Sequence, residues 1–156
     1  MTTASTLQVR YASHPADVKH FDTERLRNEF LAPNLVQQDK ITLVYSHYDR
    51  FIIGGCKPVI PITLETHPEL RANFFLERRE IGIINIGDTG IVMVDGTPFR
   101  LANKSALYIG KGHQEVIFTS ENPQSPAKYF LASAPAHQAH PIQMFSLDQA
   151  EPFHTG

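Results

Sequence analysis

Short stretches in which apolar and polar residues alternate recur along most of this chain, and a period of two is the mark of strands with one face buried. Residues 40–47 set Ile41, Leu43 and Tyr45 against polar neighbours, and 50–53 run into Gly54-Gly55, where strand pairing should break. Further segments fall at 59–64, 73–76, 82–86, 90–94, 97–101, 106–109, 116–120 and 127–133, each bounded by Gly, Pro, Asp or Asn. Short strands this closely spaced predict a sandwich or barrel. Asp95-Gly96, between Val94 and Thr97, predicts a tight hairpin with positive φ. One helix is predicted over 22–31, where Asp22 offers an N-cap, Glu24 an early acid, and Leu26, Phe30 and Leu31 share helical spacing. Ala134-Pro135-Ala136-His137 and His140-Pro141 interrupt strand formation, so the tail reads as an arm or linker.

With 156 residues, 42% of them hydrophobic and 19% charged, the chain has the size and balance of one domain able to bury a core without staples. Fourteen basic and sixteen acidic side chains leave a net charge of −2, too little field to grip nucleic acid or an anionic membrane. No apolar run approaches the length of a transmembrane helix, and the first twenty residues lack a secretory pattern. The single cysteine, Cys56, has no partner for a disulfide or a zinc pair, which fits a reducing, cytoplasmic setting.

One stretch carries a recognisable grammar: Glu80, six residues, Gly87, the Asp95-Gly96 turn, then Gly110-Lys111-Gly112. It resembles the cupin superfamily and implies an all-β, cupin-type barrel (jelly roll) with a short N-terminal helix. The divisions expected are an N-terminal arm over 1–20, a degenerate barrel over 21–133, and an arm or interdomain linker over 134–156. Counting back from Glu80, the two motif histidines fall on Phe74 and Leu76, which offer carbon where a transition metal needs nitrogen, oxygen or sulfur. In the second motif the histidine position holds Glu115. Glu80 and Glu115 alone supply fewer ligands than a catalytic zinc takes, so no metal is expected in this barrel. Within Glu77-Arg78-Arg79-Glu80, alternation places Glu77 and Arg79 on one face and Arg78 and Glu80 on the other, and at least one face should meet the barrel interior; if that is the face of Glu80, as its motif position suggests, it needs a partner such as an Arg or a Tyr hydroxyl. Gly110-Lys111-Gly112 is adequately explained as a tight connection, although it could also cradle an anion. His113, His137 and His140 share no specific ligand spacing and read as solvated, and His47 reads as a hydrogen-bonded structural histidine.

The strings Leu26-Arg27-Asn28-Glu29-Phe30-Leu31, Val44-Tyr45-Ser46-His47-Tyr48-Asp49-Arg50, Phe75-Leu76-Glu77-Arg78-Arg79-Glu80 and Ala106-Leu107-Tyr108-Ile109-Gly110-Lys111-Gly112 narrow the match. Together they resemble the N-terminal half of the 5-keto-4-deoxyuronate isomerases, the 4-deoxy-L-threo-5-hexosulose-uronate ketol-isomerases. The resemblance implies a cytoplasmic enzyme of pectin and uronate breakdown, built of two cupin barrels and assembled as a homohexamer. Its zinc sits in a C-terminal barrel, which this chain lacks. The fragment alone is therefore expected to be inactive. The substrate is a small uronate, whose carboxylate calls for a basic contact, and Arg50, Arg78, Arg79 and Lys111 are candidates by residue type, although surface or interfacial salt bridges are the commoner use of such residues. Two alternatives stand beside it: a stand-alone, non-catalytic cupin that binds a sugar acid or mediates oligomerisation, and the 5-deoxy-glucuronate isomerase of inositol catabolism.

Overall fold

A computed structural model describes residues 5–151, 153 and 155. The strands are β1 (Ser5–Arg10), β2 (Val36–Gln37), β3 (Lys40–Ser46), β4 (Ile52–Cys56), β5 (Ile62–Thr63), β6 (Arg79–Asn85), β7 (Gly90–Val94), β8 (Thr97–Leu101), β9 (Ala106–Ile109), β10 (Val116–Ser120), β11 (Tyr129–Pro135) and β12 (Gln143–Phe145). The helices are α1 (Pro15–Val18) and α2 (Thr23–Phe30). As anticipated, Asp22 caps α2, its Oδ1 accepting from the Arg25 amide at 2.8 Å.

One sheet runs β1-β3-β4-β11-β6-β9-β12, with β2 added on β3, and the other runs β5-β10-β7-β8. Strands β4 to β11 form one long nested hairpin: β4 pairs with β11, β5 with β10, β6 with β9 and β7 with β8, all antiparallel. Rolling that hairpin brings β11 onto β6 and β10 onto β7. Eight strands rolled in this way are a jelly roll, and among the described residues no ladder joins its two sheets, which face each other without closing. Alternation along each strand fills the space between them. In β6, Arg79, Ile81, Ile83 and Asn85 are buried while Glu80, Gly82 and Ile84 turn outward, and Leu43, Val92, Ile109, Phe118, Tyr129 and Leu131 meet the inner β6 side chains in the core.

Four segments depart from the sequence pattern. Residues 73–76 are a turn, because the Glu77 carboxylate captures the Asn73 amide at 2.7 Å and its side-chain nitrogen at 3.0 Å, folding the chain back on itself. Gly54 and Gly55 do not end β4. They sit inside it, where a Cβ would lie 2.6 Å from the Thr42 carbonyl oxygen and 2.9 Å from that of Tyr129. The missing side chains permit close strand approach instead of breaking the pairing. Within the stretch expected to be an N-terminal arm, residues 5–10 form β1, parallel to β3 with Ser5 opposite Ile41, and β12 in the tail pairs with β9. Residues 1–4, 152, 154 and 156 of those two stretches lie outside the described residues.

The Asp95-Gly96 hairpin forms as anticipated, with φ of 46° and 81° at its two central residues. Asp95 also accepts from the amides of Gln114 and Glu115 at 3.0 and 2.9 Å, which ties the approach to β10 onto the turn. Of the two glycines flanking Lys111, only Gly112 has a positive φ. Gly110 is needed for a different reason: a Cβ there would meet the His140 carbonyl oxygen at 2.2 Å, so the bare backbone is the seat on which the tail lies.

Candidate functional site

The parity of β6 sends Arg79 inward at one end of the barrel, where it is buried with 7% of its surface exposed. Its Nε donates to Ser133 Oγ at 3.1 Å, and Nη2 donates to the carbonyl oxygens of Ser133 and Arg50 at 3.0 and 2.6 Å. Every one of these acceptors is neutral. Among the described residues the ion pairs are Arg100 with Glu121 and His113 with Asp95, so Arg79 has no carboxylate of its own. Burial, with a smaller push from Arg50, lowers its pKa to about 10, against an opposing effect of Tyr45.

Around Arg79 lies a cavity of about 220 Å³ lined by Tyr45, Arg50, Arg78 and Arg79, with Glu69 as its one acidic side chain. The turns that build it carry their own strain. Asp49 and Arg50 occupy the two central positions of the β3–β4 hairpin with φ of 52° and 55°, a conformation that favours Asn and Gly. That backbone turn aims the Arg50 carbonyl at Arg79. Arg71, at φ 48°, ends the 3₁₀ turn Pro68–Leu70 in the left-handed region, and its carbonyl accepts from Arg78 Nη2. Two guanidiniums are thus positioned by main-chain oxygens and keep their full positive charge for something else. The structure brings together three of the four basic candidates, Arg50, Arg78 and Arg79. Lys111 lies apart, its Nζ donating to the His137 carbonyl at 3.3 Å.

The residues at the cupin metal positions do not make a donor set. Phe74 is half-buried and Leu76 buried, both offering carbon, while Glu115 is exposed. Glu80 departs from expectation: it lies on the outer face of the sheet, not inside the barrel, because the pairing of β6 with β11 and β9 gives the inward parity to Arg79. There it accepts from the Tyr108 hydroxyl at 2.7 Å, the type of partner anticipated for it. Burial first, then the Glu80 hydrogen bond and charge, push the Tyr108 hydroxyl up to about 12. Among the described residues no three His, Cys, Asp or Glu side chains gather as a metal would require. A zinc ion does not fit this donor set.

Among the described residues His47 makes stacking contacts and no side-chain hydrogen bond. Its ring lies 4.5 Å from that of Tyr11 at 7° and meets Tyr45 edge-on at 5.2 Å. His113 pairs with Asp95 at 2.8 Å, apart from His137 and His140. Cys56 is buried in the core, and burial drives its thiol pKa well up, which leaves it unreactive. Sequence reasoning overlooked Ser133, which holds Arg79, and Asn85, which is fully buried and hydrogen-bonds to four backbone groups. The signal for Asn85 was a lone amide inside Ile83-Ile84-Asn85-Ile86 just before Gly87.

The strand order and this interior define an all-β protein, a cupin-type jelly roll whose metal positions are filled by other side chains. No family model matches the chain. Its similarity to curated proteins is extensive: it is 51% identical over 148 residues to the 4-deoxy-L-threo-5-hexosulose-uronate ketol-isomerase of Formosa agariphila, covering 94% of this chain and 53% of that protein. The proteins of the same name from Lachnospira eligens and Bacillus pumilus are 50% and 47% identical, covering 86% and 96% of this chain and 49% and 54% of theirs. The chain is a homologue of these ketol-isomerases, and it spans about half their length. Among solved structures, the cupin domain of Schizosaccharomyces pombe Cnp3 matches at a TM-score of 0.46 with 11% identity, over 62% of this chain and 64% of that one. The Clostridium difficile EutQ protein matches at 0.38 with 15% identity, over 67% and 63%.

Proposed function

We propose that this chain is the N-terminal domain of a uronate ketol-isomerase, and that its arginine-lined cavity takes the carboxylate of the substrate. The reaction would convert 5-dehydro-4-deoxy-D-glucuronate into 3-deoxy-D-glycero-2,5-hexodiulosonate, as a cytoplasmic step in breaking down pectin-derived uronates. A carbonyl moves between adjacent carbons, and a proton moves with it. Zinc would belong to a second barrel in the remaining half of the protein, where it would polarise the oxygen. The assembly would be the homohexamer that the family resemblance implies.

The observation that carries the reading is Arg79: a buried guanidinium, fixed by three neutral acceptors, beside Arg50 and Arg78 in a cavity with one carboxylate. Burying a charge without a counter-ion is costly, and a bound carboxylate would offset that cost through paired hydrogen bonds. The identity of about half to the ketol-isomerases supports the substrate class.

The test is an isomerase assay on this chain alone, on the two-barrel protein, and on the two-barrel protein carrying Arg79→Met. The chain alone is expected to be inactive, and the variant to lose kcat/KM mainly through KM, as befits lost substrate binding. Turnover by the chain alone at the two-barrel rate would overturn the division between barrels, and an unchanged KM in the variant would overturn the role of the cavity.

A further inference from the structure

The outer face of the large sheet has two halves that differ. Over β3 and β4 lie α2 and the residues that follow it: Val44, on the outer face of β3, is only 5% exposed, and a Cβ at Gly55 would lie 3.0 Å from Val36 Cγ2. The other half, made by β11, β6, β9 and β12, carries no such layer among the described residues. Register sets Phe130, Ile84, Ala106 and Phe145 side by side in one row across those strands, with Ala132, Gly82, Tyr108 and Gln143 in the next. Ile84, Phe145 and, just past β6, Ile86 are 43%, 47% and 52% exposed. Glu80 is the one charged side chain that these four strands turn outward, and the Tyr108 hydroxyl already holds its carboxylate. An antiparallel sheet with one face in water ordinarily sets apolar residues inward and polar ones outward, so this half has the composition of a buried face.

We infer that the outer face of β11, β6, β9 and β12 is where the remaining half of the protein docks, an inference that rests on reading this chain as one domain of a two-barrel isomerase. The face spans three strand spacings, about 14 Å, and about 20 Å along β6, roughly 300 Å² in all. A stable dimer of separate molecules needs about 800 Å² from each partner, so the face is too small to hold a second copy by itself. Two domains of one polypeptide associate through interfaces from about 600 Å² in total, because the covalent link keeps the partner at an effective concentration of about millimolar. The curated relatives supply such a partner in length: this chain accounts for 53%, 49% and 54% of the three compared above, so about as much polypeptide again belongs to each. The surface that meets this face is expected to be apolar, since the strands offer it carbon and one carboxylate that is already hydrogen-bonded.

The experiment places the photo-cross-linking residue p-benzoylphenylalanine in the two-barrel protein, replacing Ile84 and, separately, Phe145. Irradiated protein is separated by mass under denaturing conditions, and its joined peptides are identified by mass spectrometry. Both positions are expected to join, within a single polypeptide, to peptides of the half that this chain lacks. The chain alone is expected to sediment as a monomer. Ile84→Lys should leave the melting temperature of the chain alone within about 2 °C, because the side chain is half exposed there, and lower that of the two-barrel protein by more than about 5 °C. Adducts that join two polypeptides, no adduct from either position, a chain-alone dimer dispersed by Ile84→Lys, or equal effects of Ile84→Lys on the two proteins would each overturn the inference and leave the two-barrel reading standing. A gene product whose mass leaves no room for a second barrel would remove that reading as well.

Discussion

Replacing Arg79 by methionine separates a binding arginine from a structural one, because the two roles predict different stability changes. Methionine matches the length of the arginine stem and carries no charge. Lowering the guanidinium pKa from 12.5 to about 10 corresponds to roughly 3 kcal/mol against the charged form, reduced to about 2 kcal/mol because the cavity side of the group is open to water. The substitution removes that penalty. It also removes three charge-assisted hydrogen bonds to Ser133 Oγ, Ser133 O and Arg50 O, a loss of about 1.5 kcal/mol each. The gain offsets part of that loss, so the unfolding free energy should fall by about 2–3 kcal/mol and the melting temperature by roughly 5–10 °C. Carboxylate binding should suffer far more. A charge-assisted contact in a desolvated pocket contributes about 1.5–3 kcal/mol, or roughly 10- to 100-fold in kcat/KM of the two-barrel enzyme. Arg79→Lys retains the charge but not the fork, and should fall between wild type and Arg79→Met. Thermal unfolding by circular dichroism and steady-state kinetics on the same variants give both readouts. A melting temperature lowered by more than about 10 °C in Arg79→Met, with kcat/KM otherwise retained, would show that the arginine is a structural tie and refute the reasoning.

Asn85→Leu removes four hydrogen bonds, with Asp88 O, Leu101 O, Gly87 N and Lys128 N, and should cost about 4 kcal/mol, seen as a melting temperature roughly 8–16 °C lower. His67 has its pKa lowered below 6.5, chiefly by burial and against Glu69 and Glu65, so the unfolded chain takes up the proton first and stability falls as pH drops below 6.5; His67→Gln should flatten that part of a stability-versus-pH curve measured by urea unfolding. Gly110→Ala places a methyl against the His140 carbonyl and should lift the tail, speeding amide hydrogen exchange in β12 while costing about 1–3 kcal/mol.

The strands that bury one face were legible in the sequence, and β7, β8, β9 and β10 fall where alternation and turn residues put them. Elements whose stability comes from elsewhere were not. β1 was read as part of an arm although Leu7 and Val9 alternate with Thr6, Gln8 and Arg10, because so short an alternation becomes a strand only where an edge is offered, here by β3, and β12 is likewise held by β9 and the seat at Gly110. Gly54 and Gly55 were misleading because a strand-interior glycine marks either a break or a close approach, and only the neighbouring strands decide which. The basic candidates were chosen by residue type. Their convergence depends on two left-handed backbone turns at Arg50 and Arg71, and nothing in the local sequence announces those, since neither is Gly or Asn.

The misplacement of Glu80 has the sharpest physical cause. Motif counting fixes a distance along the chain, but a strand assigns its side chains to faces by pairing register, and one residue of slip exchanges the faces. Ser133 opposite Ile81 and Ala134 opposite Glu80 set that register. With Ile81, Ile83 and Asn85 needed in the core, Arg79 must share their face and Glu80 must leave it. The same parity therefore takes the Glu80 carboxylate out of the barrel and installs a guanidinium at its mouth. The cavity at that end of the barrel, with three guanidiniums against the one carboxylate of Glu69, is electrostatically suited to an anion, and its buried arginine follows from which of two adjacent charged residues the sheet turns inward.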